Sequence, residues 1–114
     1  EDQVAVADIF NLLGRIDLGY RTFLKVVEKW PDRGKIWLAL GVLEYQRDAR
    51  SGIGYLNKAI EAGYKTPEAY TYLAKAYIKT GEHDKAKAAL KKALKINPDY
   101  EDAKRLLENL IKEL

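Results

Sequence analysis

The sequence predicts an all-α fold, a solenoid of stacked antiparallel helical hairpins with about seven helices. Three observations predict it. First, Phe10, Gly14, Gly19, Phe23, Val26 and Pro31 recur 67 positions later as Tyr77, Gly81, Ala86, Leu90, Ala93 and Pro98, with Gly52, Leu56 and Ala59 marking a unit between them. Half of that spacing is a unit of 33 to 34 residues, too short to bury its own apolar face, so neighbouring units must stack. Second, apolar residues fall at helical spacing throughout, as in Tyr70, Leu73, Ala74, Tyr77 and Ile78, and no segment alternates as a strand would. Third, glycine, asparagine and proline punctuate the chain at the intervals a helical hairpin requires.

The first helix is expected over 3–13, ended by Gly14, and the second over 17–29, before Pro31. A third over 35–46 stops at a tight turn containing Asp48, and a fourth over 50–62 stops at Gly63. Thr66 before Pro67 starts the fifth, 67–79: the hydroxyl caps an orphan amide and proline suits the first turn. Gly81 separates it from the sixth, 83–96, which ends at Asn97 and Pro98. Asp99, with Asp102 three residues on, opens the seventh, 100–113. Short connections make adjacent helices antiparallel. Small residues such as Gly41, Gly52, Ala74, Ala86 and Ala93 mark close approaches, with Trp37, Leu40, Leu56, Tyr70 and Leu90 filling the space between.

The chain of 114 residues, 47% hydrophobic, reads as one domain with an ample core. Twenty basic and 17 acidic residues are spread evenly, which is not the footprint of a nucleic-acid binder. No apolar run approaches the ~20 residues that span a bilayer, and no signal-peptide pattern opens the chain. Absence of cysteine removes disulfides and thiolate metal sites without fixing a compartment. Methionine is also absent, and the chain begins inside a predicted helix, which points to a piece of a longer protein or to an engineered one.

On Tyr70, Leu73, Ala74, Tyr77, Gly81, Ala86, Leu90, Ala93 and Pro98, the segment from residue 67 resembles the tetratricopeptide repeat (TPR) family nearly position for position. An earlier unit matches through Phe10, Gly14, Gly19, Phe23 and Pro31. The middle unit matches through Trp37, Leu40 and Gly41, then through Gly52, Leu56 and Ala59 once one residue is missing between them. Glu44 thereby occupies the place of the family tyrosine. A pentatricopeptide RNA-binding array would not place Pro31 and Pro98 at the unit ends. The resemblance implies a right-handed α-solenoid with repeats at about 1–33, 34–66 and 67–100 and a capping helix over 101–114.

The resemblance further implies a non-enzymatic protein-interaction module whose first helices line a concave groove. The positions it assigns to partner binding include Val4, Asp8 and Asn11 in the first repeat, Leu38, Val42 and Tyr45 in the second, and Thr71, Tyr72, Lys75, Ile78 and Lys79 in the third. That surface suits a helix or extended segment with apolar anchors and with acidic residues near Lys75 and Lys79. Leu38, Val42 and Ile78 equally fit a role in packing neighbouring hairpins. The family's clamp for a chaperone C-terminal carboxylate is not expected, because its places hold Val4, Asp8, Ala39, Glu68 and Tyr72.

The side-chain inventory argues against an enzyme: His83 is the only histidine, Ser51 the only serine, and Gly52 to Gly54 lacks the lysine and strand of a phosphate loop. No cofactor is expected. The alternatives to a partner-binding groove are a structural section of a longer array, an engineered repeat scaffold, and a homo-oligomer formed through the uncapped N-terminal face around Val4, Val6 and Ile9.

Overall fold

The computed structural model describes residues 34–112, together with Lys25, Glu28 and Lys29, which are helical and exposed. Five helices are bounded: α1 (Gly34–Glu44), α2 (Ala49–Glu61), α3 (Pro67–Lys79), α4 (His83–Ile96) and α5 (Glu101–Lys112). They correspond to the last five of the seven expected. The two expected over 3–13 and 17–29, with Val4, Asp8 and Asn11, lie outside the described residues apart from the three named.

Each boundary has a local cause. Asp48 caps α2: its Oδ1 accepts the N–H groups of Arg50 at 3.2 Å and Ser51 at 3.4 Å, and its Oδ2 accepts the Ser51 hydroxyl at 3.0 Å. Those bonds, the Ser51 hydroxyl first, hold the exposed Asp48 carboxyl below the usual carboxylate range. Thr66 caps α3 as expected, Oγ1 accepting the Ala69 N–H at 3.1 Å, with Pro67 in the first turn. Gly63 and Gly81 adopt φ of +97° and +78°. These left-handed residues let Tyr64 donate to Ala59 O at 3.0 Å and Glu82 to Tyr77 O at 2.9 Å, closing α2 and α3 on their own orphan carbonyls. Before α5, Asn97 Oδ1 accepts the Asp99 N–H at 3.0 Å, so Asp99 enters the turn through its backbone, and α5 starts at Glu101.

The helices pair in sequence: α1 packs along α2, and α3 along α4. The first helices of neighbouring hairpins also touch, α1 with α3 and α3 with α5, while α2 leans on α3 and α4 on α5. Contact is thus nearest-neighbour, the arrangement of a repeat array. Leu40, Leu56 and Leu90 are fully buried, and Ala59, Ala74, Ala86 and Ala93 sit at the closest approaches with no exposed surface. Gly41 admits Leu56: a Cβ there would lie 2.5 Å from Leu56 Cγ. Helix α1 is predominantly apolar and buries Ile36, Leu38, Ala39, Leu40 and Leu43, leaving Lys35 exposed. Glu44, in the place of the family tyrosine, is buried at the end of α1; its Oε1 accepts no hydrogen bond and lies 3.9 Å from Arg47 Nη1.

Candidate functional site

The first helices present a face whose centre is an aromatic pair drawn from two successive hairpins. Tyr45 leaves the end of α1, where its N–H donates to Gly41 O at 2.9 Å. Tyr72 stands in the second turn of α3. Their ring centroids are 6.0 Å apart with planes inclined at 56°, a favourable tilted contact. Lys75, one turn along α3 from Tyr72, places Nζ 4.7 Å from that ring, and Lys79, a further turn on, places Nζ 5.9 Å from the Tyr45 ring. Both lie within reach of a cation–π interaction worth about 0.5 to 1 kcal/mol at exposed sites.

These four residues, expected on the groove side of the first helices, are therefore brought together, with Tyr45 buried in the core at 9% exposure, Tyr72 and Lys75 partly exposed and Lys79 exposed. Val42 and Ile78 are half-buried and pack on the core beside them. Leu38, at 3% exposure, belongs to the core and offers nothing to a surface. Thr71 is likewise buried, its hydroxyl donating to Pro67 O at 2.7 Å within its own helix. For Leu38 this is the packing role that its position equally fitted, and both residues lie within the core.

The opposite end of the face is acidic. Burial pushes the Tyr72 hydroxyl up, and Glu68, Tyr45, Tyr100 and Asp102 push it the same way. Tyr100 is raised by burial and then by Glu68 and Asp102, and Tyr64 by burial and Glu68. Three tyrosines thus converge on the Glu68 end of α3, with Asp102 bound to Arg105 at 2.8 Å. Tyr64 and Tyr100 come from the connections flanking the hairpin, where repeat positions give no signal. Glu68 and Lys79 occupy the first and last turns of α3, each complementing the helix dipole. Eleven residues apart, they are about 16 Å apart along the axis.

The face can therefore hold an apolar or aromatic group at its centre and opposite charges at its two ends. His83 is exposed at the start of α4 and away from this constellation in sequence and element. Among the described residues no group of three or more histidine, cysteine or acidic side chains could hold a metal ion, and no helix is long and apolar enough to cross a membrane.

Comparison with known proteins agrees with this architecture. The family model described as Tetratricopeptide repeat matches residues 67–100. No curated protein matches the chain by sequence. Among solved structures the chain is similar to an O-GlcNAc transferase mutant of Thermobaculum terrenum (TM-score 0.85, 18% identity, over 93% of this chain and 21% of that one). It is similar to MamA (TM-score 0.86, 25% identity, 98% and 66%) and to the type III secretion translocator chaperone SycD of Yersinia enterocolitica (TM-score 0.77, 16% identity, 94% and 83%). The chain spans less than two thirds of the length of the transferase and of MamA. The hairpin that carries Tyr72, Lys75 and Lys79 is thus a tetratricopeptide repeat over residues 67–100, and the surrounding helices share the fold of these structures.

Proposed function

We propose that the chain is a non-enzymatic interaction module that binds a helix or short extended segment of a partner protein along α3. The observation that carries this is the Tyr45–Tyr72 pair with Lys75 and Lys79 over its rings. The partner sets an apolar anchor against Tyr72, Val42 and Ile78, with the buried Tyr45 supporting the Tyr72 ring from beneath, and places carboxylates at the lysines. Mediating protein–protein interaction is the general role of tetratricopeptide repeats, which supports the reading. In full, it takes residues 1–114 as one right-handed solenoid with repeats at about 1–33, 34–66 and 67–100 and a cap over 101–114, in which Val4, Asp8 and Asn11 extend the groove.

The test is recovery of a partner from the organism of origin with the wild type and with Lys75→Glu and Tyr72→Ala, both partly exposed and each checked for an unchanged unfolding midpoint. Charge reversal and ring removal should each abolish recovery. Equal recovery by all three proteins would overturn the reading. A second reading, self-association, draws on the likeness to SycD, whose solved structure is an alternative dimer. Light scattering at two concentrations separates it from a monomer.

A further inference from the structure

The outer side of the array, formed by the second helices, repeats one arrangement in two consecutive hairpins and leaves it incomplete in the second. In the hairpin of α1 and α2, Trp37 is stacked on Tyr55, with centroids 5.9 Å apart and planes inclined at 24°, and Lys58 Nζ lies 5.3 Å from the Trp37 ring. In the hairpin of α3 and α4, Tyr70 takes the place of Trp37 and Lys92 that of Lys58, its Nζ 5.9 Å from the Tyr70 ring. The place of Tyr55 is taken by Ala89. Where the ring would stand, a cleft of about 230 Å³ opens between α2 and α4, with Tyr70 and Tyr77 on its floor and Lys85 Nζ 5.8 Å from the Tyr77 ring.

That volume is below the ~300 to 1,000 Å³ of small-molecule sites and suits one inserted side chain. The surroundings are basic. Lys85 and Lys92 of α4 line the cleft, and Glu82 before that helix is shared between Lys85 at 4.0 Å and Arg50 at 3.6 Å. We infer that this outer cleft receives one aromatic side chain of an acidic segment of a partner protein, the guest ring standing on Tyr70 as Tyr55 stands on Trp37, with flanking carboxylates paired to Lys85 and Lys92. The inference is independent of the face around Tyr72, which lies on the other helices' side.

The test is an amide NMR titration of the full chain with the acetylated peptide Asp-Glu-Trp-Glu-Asp, and with the same peptide carrying alanine for tryptophan. Saturating shifts are expected at Ala88, Ala89 and Lys92 for the first peptide and not the second. Ala89→Tyr supplies the missing ring and should abolish the saturation. Lys92→Glu, at an exposed position that cannot unfold the core, should weaken binding about tenfold, while Lys112→Glu, exposed on α5 and outside both sites, should leave it unchanged. Equal binding of both peptides, unchanged affinity in Lys92→Glu, or no saturation by ~5 mM, where even millimolar affinity would register, would each overturn the inference. If Ala89→Tyr fails to fold, Lys92→Glu decides alone.

Discussion

Replacing Gly52 with alanine tests the packing that positions Tyr45. Gly52 lies in the first turn of α2, where the chain has just reversed after α1. A Cβ on it would lie 2.6 Å from both Cα and Cβ of Tyr45 and 2.8 Å from the Tyr45 nitrogen. Ordinary contact between carbon atoms is about 3.5 to 4.0 Å, so the two segments must part by roughly 1 Å. The obstructing atoms are backbone, which no rotamer change can move. Overpacking costs typically ~1 to 3 kcal/mol, and the main-chain obstacle puts this site near the upper end. Alanine regains about 1 kcal/mol of helix propensity over glycine, leaving a net loss of about 2 kcal/mol. Gly54, two residues on in the same helix, is the internal control, because a Cβ there meets nothing within 4 Å. Gly54→Ala should therefore stabilise by about 0.5 to 1 kcal/mol. Urea unfolding of the two variants beside the wild type measures both, and the gap between them should be about 2.5 to 3 kcal/mol. Equal midpoints for Gly52→Ala and Gly54→Ala would refute the reasoning, since only the contact with Tyr45 distinguishes them.

Ala86 has no exposed surface, so Ala86→Leu should overpack the hairpin of α3 and α4 and cost about 1 to 3 kcal/mol, read by the same denaturation. Thr66→Ala removes the bond to the Ala69 N–H and should cost about 1 kcal/mol, with Thr66→Ser restoring most of it. Tyr64, Tyr72 and Tyr100 have hydroxyls raised in the folded state. Their stabilising contribution is therefore complete below the unfolded value of about 10 and is lost as pH rises through the folded values. An ultraviolet tyrosinate titration should show these three ionising late and the midpoint of unfolding falling above about pH 10; ionisation of all tyrosines at the ordinary value would contradict it.

Most of the described fold was legible because its boundaries are chemically marked. Thr66 with Pro67, Gly63, Gly81 and Asn97 with Pro98 each carry a backbone preference that tertiary contacts did not override, and α2 to α5 fall within a residue or so of expectation. The end of α1 was less legible: it stops at Glu44, two residues before the expected 46, because Tyr45 to Arg47 contain no glycine or proline. The turn there is imposed by the Asp48 cap and by the approach of Gly52 to Tyr45. The convergence of Tyr45, Tyr72, Lys75 and Lys79 follows from repeat position, whereas Leu38 and Thr71 show its limit. A position predicted to face a groove is buried when the neighbouring helix covers it, and a hydroxyl is satisfied by its own helix when no partner is near. Tyr64 and Tyr100 enter from connections, where periodicity says nothing. The outer cleft was legible only by setting Tyr55 against Ala89, a difference between repeats rather than a shared feature.

Side-chain proximity between Tyr45 and Tyr72 tests the central claim most directly, because it requires the end of one hairpin to meet the middle of the next. With ring centroids 6.0 Å apart, the aromatic protons of the two residues should give nuclear Overhauser contacts in the free protein, together with contacts from the Lys75 side chain to the Tyr72 ring. A well-folded sample in which Tyr45 and Tyr72 show no mutual contact would contradict the stacking of the hairpins and the binding face built on it.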